Sequence, residues 1–161
     1  MQAFVSKYVN RLDSKGRVSI PAPFRQLLAQ DGQDSLFCSP SLDQVSIEAG
    51  GLVYQQEIND QLNQFDPFSE EREMLSTALL GESETFKIDK DGRIVLSESI
   101  KEYAGITDVV VFVGQGTKFR LWQPDRYEVH RKEAQKLALS RIRQGKTNVA
   151  PKEGQGGGDE A

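Results

Sequence analysis

Two short clusters carry the residue types with the clearest chemistry. They are Asp13-Ser14-Lys15-Gly16-Arg17 and Asp89-Lys90-Asp91-Gly92-Arg93. Glycine takes a positive φ without a Cβ clash, and aspartate hydrogen-bonds its own backbone, so each cluster predicts a tight turn. A long cation on a fixed turn can reach phosphate oxygens, and an arginine can also read guanine O6 and N7 in a major groove. Lys15, Arg17 and Arg93 are therefore the leading candidates for DNA contact, with Lys90 and Arg11 as secondary phosphate contacts. A competing reading pairs Arg17 with Asp13 and Arg93 with Asp89 across each turn. The two readings are compatible, because a guanidinium can hold a turn and still project outward. Asp13, Gly16, Asp89 and Gly92 read as turn formers. Arg25 and Lys101, on the helices that follow, are expected to be solvated or salt-bridged.

Other chemistry is poorly supplied. The single cysteine, Cys38, and the single histidine, His130, leave nothing from which to build a thiol or imidazole metal site or a triad. Cys38 lies in a β-rich segment and reads as a small buried hydrophobe. Gly114-Gln115-Gly116 suits a hairpin turn; it does not follow a strand and open a helix as phosphate-binding loops do. Asp13 and Asp89 could be imagined as an acid and a base, but turn chemistry already accounts for both. No enzyme activity, cofactor, metal or small-molecule substrate is expected. No run of about 18 apolar residues exists, and Met1 to Asn10 lacks the apolar core of a secretory signal. A cytoplasmic protein with no membrane association is the simplest reading.

The net charge of −4 argues weakly against a nucleic-acid partner, but its distribution does not. Residues 10–25 hold four cations against one acid, residues 52–85 one against eight, and residues 125–144 six against three. Such a chain can present a basic face and an acidic back.

The elements that must position the two clusters are themselves duplicated. Leu12 to Ile20 recurs as Ile88 to Leu96, with Asp, Gly and Arg identical and the apolar positions matched in kind. Each copy reads as strand, turn, strand and short helix. Pro21 ends the first copy's strand or puts it at an edge, and Ser97 and Gly105 suit the two ends of the second copy's helix. A second hairpin follows in each copy. Ser35–Ser39 and Val45–Ile47 flank a turn over residues 40–44; Val109–Val113 and Phe119–Trp122 flank a turn over 114–118. Val45 then matches Phe119, with a two-residue length difference before the hairpin. A copy of about 40 residues is too small to bury a core alone, so the two should share one, as a pseudo-twofold barrel.

Apolar residues at 54, 58, 62 and 65 predict a helix over 52–64, and Ser69 caps another over 69–80. A third, over 124–144, carries Tyr127, Ala134, Leu137, Ala138 and Ile142 on one stripe. This stripe is expected to pack on the barrel or on a neighbouring subunit, although a basic helix can also lie on a membrane or on DNA. The glycine-rich end should be disordered. The expected organisation is repeat 1 over 7–53, a helical connector over 54–81, repeat 2 over 82–125, a C-terminal helix over 126–145 and a tail over 146–161.

Asp13-Ser14-Lys15-Gly16-Arg17 followed by Ile20-Pro21 and Phe24-Arg25 resembles the MraZ family of bacterial transcription regulators. The weaker copy at Asp89–Arg93, the Leu79-Leu80-Gly81 and Glu84 before it, and Tyr103-Ala104-Gly105 after it fit the same family. The resemblance runs from about Phe4 to Tyr127. It implies an α+β fold with a β-dominated core: two AbrB-like repeats forming a pseudo-twofold double-split (swapped-hairpin) β-barrel, decorated by helices. It further implies sequence-specific binding to double-stranded promoter DNA carrying repeated short boxes, regulation of a division and cell-wall gene cluster, association with the nucleoid, and a ring-shaped homo-oligomer. Asp91 stands where the first copy has Lys15, and Ser97 where it has Pro21, so the copies need not contact DNA equally. An antitoxin-like barrel that binds protein, or an oligomeric scaffold indifferent to DNA, are the alternatives.

Overall fold

A computed structural model of the chain describes residues 3–43 and 45–145; the stretch from 146 onward, expected to be disordered, lies outside them. The chain is a mixed α+β structure. Its strands are β1 (Lys7–Arg11), β2 (Arg17–Ser19), β3 (Ser35–Pro40), β4 (Ile47–Gly50), β5 (Glu84–Lys87), β6 (Arg93–Val95), β7 (Val109–Gly114) and β8 (Phe119–Trp122). Its helices are α1 (Ala22–Gln30), α2 (Leu52–Leu62), α3 (Glu70–Ser76), α4 (Glu98–Ala104) and α5 (Pro124–Arg143), with a π-helical turn at Thr77–Gly81. Two compact units result, one up to Tyr127 and one from Glu128. Among the described residues no helix is long and apolar enough to cross a membrane.

The strands form a six-stranded antiparallel sheet in the order β1-β7-β8-β4-β3-β5 and a separate two-stranded ribbon, β2-β6. The strand, turn and strand at each cluster do not close on themselves as a hairpin. The turn between β1 and β2 is present, but its two arms pair elsewhere: β1 with β7, and β2 with β6. The second copy does the same, with β5 on β3. Leu12 N–H donates to Asp108 O and Ile88 N–H to Asp34 O, each at 2.8 Å, so even the strand ends bond across the copies. Each copy therefore supplies an edge strand to the other, and neither can satisfy its own backbone alone.

The second hairpins also differ from expectation. β4 begins at Ile47, not Val45. The ladders Pro40↔Ile47 and Gly114↔Phe119 make Ile47, not Val45, the counterpart of Phe119. The loop from Ser41 to Ser46 absorbs the difference, being two residues longer than the loop from Gln115 to Lys118. The earlier two-residue difference falls at the helices, where α1 has nine residues and α4 seven. At the centre of the large sheet β4 meets β8, with Glu48 opposite Arg120. These two make a 2.9 Å ion pair, and Glu48 also accepts from the Tyr54 hydroxyl and from Lys118.

One core serves both copies. Val18, Ile20, Phe24 and Leu28 of the first meet Ile94, Leu96, Ile100 and Ala104 of the second, with the inward residues of β3, β4, β7 and β8 around them. Phe24 is the aromatic centre: its ring lies 5.2 Å from Phe4, 5.4 Å from Tyr8 and 4.7 Å from Phe119. Cys38 is fully buried and its thiol pKa is pushed up by desolvation, as suits an inert core residue. Tyr54, Ile58 and Leu62 of α2 form a small second cluster. Ser69 caps α3, accepting from Arg72 N–H, but the helix gives way after Ser76 to the π turn rather than running on to Leu80. Within α5, Tyr127 is half-buried while Ala134, Leu137, Ala138 and Ile142 are exposed in the single chain.

Replacing Phe24 with alanine removes the ring shared by Phe4, Tyr8 and Phe119. The expected loss is about 3–5 kcal/mol of unfolding free energy, measured by denaturant unfolding of the full chain. A loss below about 1 kcal/mol would place the centre of the core elsewhere.

Candidate nucleic-acid interface

The two clusters fold into nearly identical turns. In the first, Asp13 N–H donates to Arg17 O at 2.9 Å and Gly16 N–H donates to Asp13 O at 3.0 Å. Asp13 Oδ1 accepts from the N–H groups of Lys15 and Arg17, both at 2.9 Å, and Oδ2 accepts from Arg17 Nε at 2.7 Å. In the second, Asp89 Oδ1 accepts from Asp91 and Arg93 N–H at 2.9 Å, and Oδ2 from Arg93 Nε at 3.2 Å. Gly16 and Gly92 both have φ of +79°, the left-handed region where a side chain is strained. One carboxylate thus satisfies the open backbone of each turn and fixes the arginine that leaves it.

The ribbon decides where those arginines point. The register pairs Arg17 with Val95, Val18 with Ile94 and Ser19 with Arg93. Directly opposed residues share a face, and alternate residues along a strand share a face. Val18 and Ile94 are 1% exposed and face the core. Arg17, Ser19, Arg93 and Val95 therefore all lie on the other, outward face, where Val95 is 54% exposed. The turns sit at opposite ends of the ribbon, so Arg17 and Arg93 leave the same surface from its two ends. The glycine carbonyls anchor the turns to the opposite strand: Gly16 O accepts from Leu96 N–H at 3.2 Å and Gly92 O from Ile20 N–H at 3.0 Å.

The remaining candidates distribute as follows. Lys15 and Lys90 are exposed at the turn tips. Arg11 ends β1 and is exposed, with Nη1 3.5 Å from Asp108 Oδ2. The two copies are not equivalent. Arg17 is tied through Nε to one acid, whereas Arg93 also gives Nη2 to Asp91 Oδ2 at 3.2 Å. Lys101 is salt-bridged as expected, to Glu98 at 2.8 Å. Arg25 is not. It packs onto Gly92, with Nη1 3.3 Å from Asp91 O. The sequence holds no local signal for that contact, which spans 66 residues. Asn10 was also missed; its side-chain amide donates to Ser19 O at 2.7 Å and ties β1 to the ribbon. Among the described residues no group of His, Cys, Asp and Glu could hold a metal ion.

The family model described as "MraZ protein, putative antitoxin-like" matches residues 79–148. A protein of Beijerinckia indica is 54% identical over 134 residues, covering 83% of this chain and 82% of its own. Proteins of Methylocella silvestris and Xanthobacter autotrophicus are 52% and 54% identical over the same length, covering 83% of this chain and 82% and 85% of their own. The chain belongs to the MraZ family. All three relatives carry the name transcriptional regulator MraZ, which designates no reaction. The family match covers the second turn, while the longer alignments cover most of the chain.

Both turn aspartates titrate below their ordinary value of 3.8, chiefly because the arginine backbone N–H bonds to the ionised carboxylate; the guanidinium adds to this and desolvation opposes it. A lowered folded-state value contributes stability above the ordinary pKa that is lost as pH falls through the folded one. NMR titration should give midpoints below 3.8 for Asp13 and Asp89, with the turn amide shifts moving on the acid side of about pH 4. The glycines offer a second test. A Cβ at Gly16 meets nothing within 4 Å, so Gly16→Ala carries backbone strain alone, about 1–2 kcal/mol. A Cβ at Gly92 would collide with Nη1 and Cδ of Arg25. Gly92→Ala should therefore lower the melting temperature more than Gly16→Ala does.

Proposed function

We propose that this chain is a sequence-specific, DNA-binding transcription regulator. The observation that carries the reading is the shared outward face of the β2–β6 ribbon, from which Arg17 and Arg93 leave on turns already ordered by Asp13 and Asp89. Preordered cations lose little conformational freedom on meeting a phosphate or a base edge. Lys15, Arg17 and Arg93 are the principal contacts in this reading, with Lys90 and Arg11 touching phosphates at the margins. The cross-paired strands support a finer description of the fold as a pseudo-twofold, double-split swapped-hairpin barrel built from two AbrB-like repeats. The relatives' shared name supports the regulatory role.

A single ribbon offers few cations, so one chain should bind weakly. A ring-shaped homo-oligomer would present many such ribbons and gain by effective concentration. Repeated short boxes in promoter DNA are the matching target, and the division and cell-wall cluster containing the chain's own gene is the proposed place for them. Such a regulator works at the nucleoid. The ordered turns need no catalytic group, cofactor or small ligand to act in this way.

The test is binding to a duplex covering the region upstream of the chain's own gene. Lys15→Ala with Arg17→Ala should weaken binding at least tenfold and lower the slope of log affinity against log salt by about 2, with oligomer size unchanged. The Arg17–Asp13 pair is at the surface, so its loss should cost little stability. Footprinting should give short protections repeated at helical-turn spacing. Unaltered affinity in the double variant would overturn the site. A stoichiometric protein partner with no DNA retention would overturn the function.

A further inference from the structure

We propose that Arg25 is a positioning residue for the second turn and supplies a positive charge that offsets the extra acid, Asp91, there. This inference rests on the DNA-binding reading above. Asp91 occupies the place that Lys15 holds in the first turn, which leaves the segment 89–93 with two cations and two acids, against two cations and one acid in 13–17. Arg25 comes from α1 of the other copy and restores the balance. Its guanidinium lies where a side chain at position 92 would stand, with Nη1 and Cζ in the space that a Cβ there would fill. Gly92 is buried beneath it, and Nη1 donates to the Asp91 carbonyl at 3.3 Å.

The contact is not generic packing of a long side chain. Its counterpart in the second copy, Lys101, turns instead to Glu98 on its own helix, and the space over Gly16 is empty to 4 Å. The device exists once, on the turn that carries the extra acid. Arg25 Nε is buried without a hydrogen-bond partner, so the group is held there by where its fork must sit, not by full satisfaction of its own donors. Arg93, meanwhile, is held by Asp89 and Asp91 together. Arg25 thus fixes the Asp91–Gly92 backbone from which Arg93 departs and keeps the second turn electropositive.

The experiment measures binding of the full chain to the same upstream duplex across a salt series, with melting temperature and oligomer size recorded on each sample. Arg25→Gln should reduce the salt slope by about one and weaken binding, while the Lys15/Arg17 contribution persists. Asp91→Lys placed in the Arg25→Gln background should restore the slope, because it replaces the extra acid with a cation on the turn itself. Arg25→Lys, which keeps the charge without the planar fork, should keep most of the slope. An Arg25→Gln protein with wild-type slope and affinity would overturn the proposal and leave the DNA-binding reading standing. A lost slope that Asp91→Lys does not recover would also overturn it, since a purely structural arginine predicts that result. Absence of salt-dependent binding in the wild-type chain would overturn both readings together.

Discussion

The three-pair ladder between β2 and β6 is the interaction on which the rest of the structure depends. It is short, but each of its rows has two consequences. The middle row sends Val18 and Ile94 into the core, where they join side chains from both copies. The outer rows send Arg17, Ser19, Arg93 and Val95 to the opposite face. A slip of one residue would exchange the two sets, burying guanidinium groups and exposing the aliphatic pair. The same constraint thus sets the register of the ribbon and the direction of its cations.

Cross-pairing explains why two such small units persist. Each copy has a helix of seven or nine residues and four strands of three to six, far too little to enclose a core. Exchanging β1 and β5 between the copies makes the β1–β7 and β3–β5 ladders contacts between them, beside β2–β6 and β4–β8, and leaves β3–β4 and β7–β8 within a copy. Phe24 of the first copy then packs on Phe119 of the second, and Glu48 of the first pairs with Arg120 of the second. Sequence separation is the corresponding cost, because contacts such as β1 with β7 close loops of about 100 residues before they stabilise anything.

Legibility in the sequence follows that division between local and distant. The Asp-x-x-Gly-Arg turns were readable because their hydrogen bonds, glycine φ and ion pairs all fall within five residues. Ser97 and Gly105 were readable for the same reason: each acts on its own helix end, Ser97 by accepting from Ile100 N–H and Gly105 by its left-handed φ of +70°. The partner of each strand was not readable, since a β-rich run pairs equally well with its own hairpin or with the other copy's. The register of β4 was missed by two residues because the loop from Ser41 to Ser46 is longer than its counterpart, and apolar alternation repeats every two residues. Arg25 was misread because nothing near it in sequence marks the Gly92 turn as its destination.

The asymmetry between the turns gives the proposed interface a direction. The three residues of each ribbon strand span roughly 10 Å, close to the approximately 12 Å width of a B-DNA major groove. Cations at the two ends of such a ribbon could address the two sides of one groove. They would not do so alike. Lys15 and Arg17 stand on a turn with open space over Gly16 and one restraining acid. Arg93 stands on a turn held by Asp89, Asp91 and Arg25. In the proposed reading the two turns, held by different numbers of restraining groups, would meet DNA unequally. A duplicated motif whose copies have diverged in this way can orient itself on DNA, which two identical turns related by a twofold axis could not do.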